Sequence, residues 1–193
     1  MKVELIDTKN ELLDIFYSAN KDFLNKNMDN IILNVSERNL CALLMCELNK
    51  KILKTKFNEY FVDVEYNRNK GEVKTIIDNN EIITTVVCDL IIHSRGNNIR
   101  QDNLLACEMK KSSALRYEKD KDKNRLIALT KESNDGVWRY NGDFSLPDHV
   151  CGYLIGIYYE IDIKNKLILL EIYSEGKLVY EERHPFQYYL NYI

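Results

Sequence analysis

Two stretches decide how this chain reads: Val86-Val87-Cys88-Asp89-Leu90-Ile91-Ile92-His93 and, after a loop, Leu104-Leu105-Ala106-Cys107-Glu108-Met109-Lys110. Both are dense in apolar and β-branched residues, the composition of buried strands. Each carries charge where an apolar side chain is expected. Ser94-Arg95-Gly96-Asn97-Asn98 and Gln101-Asp102-Asn103 between them are turn formers, so an antiparallel hairpin is the simplest connection. If position 93 faces 104, the constant sum of an antiparallel ladder makes Asp89 face Glu108. Their Cβ atoms are then expected roughly 4.5–5.5 Å apart, and like charges at that spacing need a cation between them. Lys110 falls on the face of Glu108, since side chains alternate with period two. A loop of this length also admits a register shifted by a residue or two.

Working outward, Thr8-Lys9-Asn10-Glu11 has the form of a capping box, and Leu12, Ile15, Phe16, Ala19 and Phe23 follow at helical spacing, which predicts a first helix to about Asn25. A second helix is expected from Ser36 to about Lys54, with Leu40, Cys41, Leu44 and Leu48 as its buried stripe. Glu37 lies on that same face. By spacing alone, it serves equally as a first-turn carboxylate complementing the helix dipole.

Phe57 to Arg68 reads as a strand with Val62, Val64 and Tyr66 on one side and Asp63 and Glu65 on the other. Gly71 and Asp78-Asn79-Asn80 mark turns around a short extra strand from Glu72 to Ile77. After the hairpin, Arg116 to Thr130 reads as a helix ended by Ser133-Asn134-Asp135-Gly136. Trp138, Tyr140 and Phe144 precede a buried strand from Val150 to Tyr159, and residues 167–173 and 177–182 form a terminal hairpin. These aromatics read as core rather than as base-stacking platforms. The tail from Pro185 to Tyr192 is apolar enough to dock on the body or to form a contact in a homodimer or larger assembly.

The chain has 193 residues, 45% of them hydrophobic, enough for one sizeable core, and a single domain over 1–193 is expected. The first residues lack the layout of a signal peptide and no apolar run approaches a membrane span, so a cytoplasmic protein with no membrane partner is expected. Five cysteines in apolar runs, without Cys-x-x-Cys spacing, read as reduced core thiols. A net charge of −3 argues against a protein that coats nucleic acid. From Lys110 to Arg125, however, seven basic residues stand against three acidic ones. That island is either a solvated helix face or a phosphate-binding strip.

Asp89, Glu108 and Lys110, arranged as Asp…Glu-x-Lys on a hairpin, resemble the PD-(D/E)XK nuclease superfamily, the restriction-endonuclease-like fold, in its small standalone prokaryotic form. The likeness extends over about residues 36 to 160 through Glu37, Glu65-Tyr66-Asn67-Arg68, Asp89-x-x-x-His93-x-Arg95-Gly96, Glu108-Met109-Lys110-Lys111-Ser112 and Asp122-Lys123-Asn124-Arg125-Leu126. Cys88 stands where the family motif has proline, and Arg125 where it has lysine. Acid-x-Lys also occurs at Asp7/Lys9, Glu72/Lys74, Asp162/Lys164 and Glu175/Lys177, but only Glu108/Lys110 ends an apolar strand with a strand-borne Asp upstream.

The resemblance implies an α/β (α+β) domain with an αβββαβ core: a central mixed sheet flanked by helices, with an added N-terminal helix and C-terminal hairpin. It further implies a Mg²⁺- or Mn²⁺-dependent nuclease hydrolysing phosphodiester bonds, in a restriction or phage-defence context, with DNA favoured over RNA. Asp89, Glu108 and the Met109 carbonyl are expected to hold the ion, with Glu37 completing the shell directly or through water. The metal would activate water and polarise the phosphate while Lys110 positions that water and offsets transition-state charge. Lys111, Arg116, Lys119, Lys123 and Arg68 are the candidate nucleic-acid contacts, and His93 reads as structural. The alternative is a catalytically silent nucleic-acid-binding module or interaction subunit on the same fold.

Overall fold

The computed structural model describes residues 2–69, 72–73, 75–77, 83–85, 87–98, 100–132 and 150–189. The turns expected at Gly71 and 78–80, Val86, the helix stop at 133–136, the aromatics Trp138, Tyr140 and Phe144, and the tail beyond 189 lie outside the described residues. The elements are α1 (Lys2–Ile32), α2 (Glu37–Ile52), β1 (Phe61–Val64), β2 (Arg68–Asn69), β3 (Glu72–Val73), β4 (Thr75–Ile77), β5 (Ile83–Thr85), β6 (Leu90–His93), β7 (Asn103–Lys111), α3 (Arg116–Thr130), β8 (Ile155–Asp162), β9 (Leu167–Ser174), β10 (Lys177–Pro185) and α4 (Phe186–Tyr189).

A six-stranded sheet in the order β1-β6-β7-β8-β9-β10 forms the centre, and β2/β3 and β4/β5 are separate two-stranded hairpins. Within the large sheet every neighbouring pair is antiparallel except β7 and β8, which run parallel with α3 as their crossover. Alternation along the strands divides the core. Leu105, Cys107, Met109, Ile157, Tyr159 and Leu170 pack with Phe16, Phe23, Leu44 and Leu48 of α1 and α2. On the other side, Ile91, Ala106, Tyr158 and Tyr173 pack with Leu126 and Leu129 of α3. Glu108 and Lys110 share the parity of Ala106 and so belong to the α3 side.

Several expectations need correction. Helix α1 begins at Lys2, so Thr8 lies inside it, where its hydroxyl donates to the Glu4 carbonyl at 2.9 Å instead of capping a helix start. It also runs past Asn25 to Ile32, with non-helical backbone at Asn27. The strand predicted from Phe57 to Arg68 contracts to β1, since Glu65 turns the chain with φ 51°. In the hairpin, Leu90↔Cys107, Ile91↔Ala106 and Ile92↔Leu105 keep the expected sum, but a bulge pairs His93 with Asn103, not Leu104. Strand β6 starts at Leu90, which leaves Asp89 at the bend just before it.

The buried strand expected from Val150 to Tyr159 is β8, which starts only at Ile155 and runs on to Asp162, and the single short strand expected from Glu72 to Ile77 is divided between β3 and β4, which pair with β2 and β5. Ser36 caps α2 by accepting the Asn39 N–H, and α3 spans Arg116–Thr130. Of the tail, Phe186 is buried against the main core and Tyr188 is exposed. No helix among the described residues is long and apolar enough to cross a membrane.

Candidate active site

The last residues of β7, the bend before β6, the first turn of α2 and the middle of α3 meet at one end of the sheet. Glu108 is 1% exposed there, within the buried run from Leu104 to Met109 of β7, whose other members are apolar. Its Oε1 accepts a hydrogen bond from Arg125 Nη1 at 2.6 Å. Its Oε2 is buried and has no hydrogen-bond partner among the described residues. Burial, and secondarily the neighbouring Asp89 carboxylate, push the Glu108 carboxyl up to about 8, although Arg125 opposes the shift.

Asp89 approaches from the bend, and its Oδ2 accepts the Met109 backbone N–H at 2.8 Å. Burial raises its pKa too, tempered by that N–H and by the Lys110 ammonium. The strand-centre position expected for Asp89 is therefore replaced by a bend that carries its carboxylate across to β7. The contribution of Met109 seen here is its N–H.

Lys110 Nζ lies 2.9 Å from Asp122 Oδ2 and 3.5 Å from Glu37 Oε2. Burial alone would lower the Lys110 pKa, but these two carboxylates outweigh it and hold the ammonium protonated well above its ordinary range. Glu37 reaches the site as the first residue of α2, and its Oε1 accepts the Lys111 backbone N–H at 2.8 Å. Among the described residues, no group of three or more His, Cys, Asp or Glu side chains is placed to hold a metal ion. Glu37 is instead engaged with the end of β7.

Asp122 and Arg125 are the site residues that sequence reading did not assign a role. Asp122 is 5% exposed, and its Oδ1 lies 3.3 Å from Arg125 Nη1. A signal was available: Asp122, Arg125, Leu126 and Leu129 fall at i, i+3, i+4 and i+7, so both charges share the buried stripe of α3.

Three candidate nucleic-acid contacts already have partners. Lys119 pairs with Glu160 at 3.0 Å and donates to the Ser112 carbonyl, while Lys123 pairs with Glu171 and lies over the Tyr158 ring at 4.6 Å. Lys111 Nζ donates to the Asn34 carbonyl at 3.1 Å. Arg116 is almost fully exposed, with its Nε 3.7 Å from Asp120 Oδ2, and Arg68 stands exposed on β2. His93 is buried, with Nε2 2.9 Å from Asp63 Oδ2, and Arg95 clamps the same carboxylate at 2.6 and 2.8 Å.

No protein-family model matches this chain, and no curated protein or solved structure matches it either.

Proposed function

We propose that this protein is a divalent-metal-dependent nuclease of the PD-(D/E)XK kind that hydrolyses nucleic-acid phosphodiester bonds, DNA in preference to RNA. The observation that carries the reading is the bare, buried Oε2 of Glu108 beside the Asp89 carboxylate, with the Lys110 ammonium on the same face of the sheet. Support comes also from the order α2, β1, β6, β7, α3, β8, interrupted between β1 and β6 by the small hairpins β2/β3 and β4/β5, with a parallel β7/β8 crossover, an order compatible with the αβββαβ core that the resemblance implies.

A buried carboxylate oxygen with no donor is costly unless a cation completes it. The donors are hard oxygens on two side chains, which suits Mg²⁺ or Mn²⁺, ions commonly held by one or two carboxylates plus substrate phosphate. Asp89 and Glu108 would hold the ion, which supplies the Lewis acidity that activates water and polarises a phosphate. The residues of the chain do the rest. Lys110, kept protonated by Asp122 and Glu37, acts as a fixed positive charge against the developing phosphorane-like transition state and not as a base. The Met109 N–H fixes the direction of the Asp89 carboxylate. Of the candidate phosphate contacts Lys111, Arg116, Lys119 and Lys123, Arg116 is the most exposed.

The test is cleavage of DNA and RNA with Mg²⁺ or Mn²⁺ by the wild type, Asp89→Ala and Lys110→Ala. Loss of most activity in both variants is expected, and equal activity in all three proteins would overturn the proposal. A second reading, a binding module or interaction subunit without turnover, is favoured by the guanidinium already seated on Glu108. It requires salt-dependent nucleic-acid binding with no uptake of metal.

A further inference from the structure

We infer that Arg125 is the resident counter-ion of this site and that a divalent cation binds by displacing it from Glu108 onto Asp122. The inference rests on the nuclease reading and adds a positioning residue to it.

Four carboxylates meet here, those of Glu37, Asp89, Glu108 and Asp122, against two cations, Lys110 and Arg125. Fully ionised, the cluster is short of two positive charges, the charge of one Mg²⁺ or Mn²⁺. The contacts are also asymmetric. A guanidinium paired with a carboxylate frequently grips it with two parallel N–H donors. Arg125 does not. Its Nη1 takes Oε1 at 2.6 Å and leaves the buried Oε2 without a donor among the described residues. The same Nη1 is 3.3 Å from Asp122 Oδ1, three residues back on the same helix, so a second carboxylate is already within reach of the guanidinium when it leaves Glu108. Asp122 travels with Arg125 on α3 and stays in reach whatever the helix does. Without metal, Arg125 neutralises Glu108. With metal, it yields Oε1, and Asp122 and the remaining carboxylates keep it charged and ordered.

The experiment is Mn²⁺ binding to the full chain, followed by electron paramagnetic resonance and calorimetry. Arg125→Met is expected to bind Mn²⁺ roughly tenfold more tightly than the wild type, because the competing cation is gone. Its metal-free form should melt lower, and saturating Mn²⁺ should close that gap. Arg125→Lys, with one ammonium and no fork, should gain a few-fold, and it carries the test if the methionine variant does not fold. Affinity equal to or weaker than wild type in the folded variants overturns the inference. If the wild type binds Mn²⁺ and cleaves but Arg125→Met gains nothing, the displacement idea alone falls. If the wild type neither binds nor cleaves, the nuclease reading falls with it.

Discussion

Glu37 Oε1 receives the backbone N–H of Lys111 at 2.8 Å, so the first turn of α2 is tied to the last residue of β7 across 74 positions of sequence. The other oxygen of the same carboxylate stands 3.5 Å from Lys110 Nζ. One side chain therefore ends the strand and orients the ammonium. That double role separates what a mutation does to stability from what it does to chemistry.

Glu37→Gln keeps an oxygen for the Lys111 N–H and should unfold close to the wild type. Glu37→Ala loses the acceptor and should cost about 1 kcal/mol in thermal or urea denaturation. Both remove a charge from Lys110, so Mn²⁺-dependent cleavage should fall roughly tenfold in both. If activity tracks stability, with Glu37→Gln fully active, the orienting role is wrong and Glu37 is only a strap.

Asp63 provides the pH dependence. Burial would raise its pKa, but the Arg95 guanidinium and the His93 ring outweigh it and hold the carboxyl below the ordinary range. A depressed folded pKa gives stability that is present above the unfolded value, near 4, and is lost as pH falls through the folded one. Asp63→Asn should therefore cost about 1–2 kcal/mol at pH 7 and almost nothing near pH 2, measured by urea midpoints. Parallel curves at all pH values would show that the clamp contributes shape and not charge. His93 lies four residues along from Asp89, about 13 Å on an extended chain, so Mn²⁺ affinity should not change.

What the sequence disclosed here follows from how local each signal is. The register of Leu90–Ile92 against Leu105–Cys107 came from alternation and a constant sum, and α3 from its charge pattern and flanking loops. Where a local motif had a competing use, the reading failed: Thr8-x-x-Glu11 looks the same at a helix start and inside a helix. Asp89 stands outside β6 because β1 turns away at Glu65, whose N–H meets the Asp89 carbonyl at 3.2 Å, a contact between distant segments. Arg125 on Glu108 is a helix-to-strand contact of the same nonlocal kind. Helical periodicity shows which face it shares but not which strand residue it meets.

How closely α3 approaches the sheet decides whether Arg125 and Asp122 reach β7 at all. Gly156 on β8, paired with Ala106 on β7, makes that approach possible. A Cβ at 156 would lie 3.0 Å from Thr130 Cγ2, 3.2 Å from Tyr173 Cβ and 3.4 Å from Leu126 Cβ. Thr130 and Leu126 belong to α3, and the threonine cannot rotate freely, because its hydroxyl donates to the Leu126 carbonyl at 2.8 Å and accepts the Gly176 N–H at 3.3 Å. The added methyl must therefore move the helix or strain the strand. Gly156→Ala should cost about 1–3 kcal/mol of stability. Because the helix that recedes carries Asp122 and Arg125, the contact with Glu108 should lengthen as well, and Mn²⁺ affinity should change along with melting temperature. An alanine variant with wild-type stability and wild-type Mn²⁺ binding would mean that the helix has room to spare, and that the closeness of α3 to the sheet does not set the site.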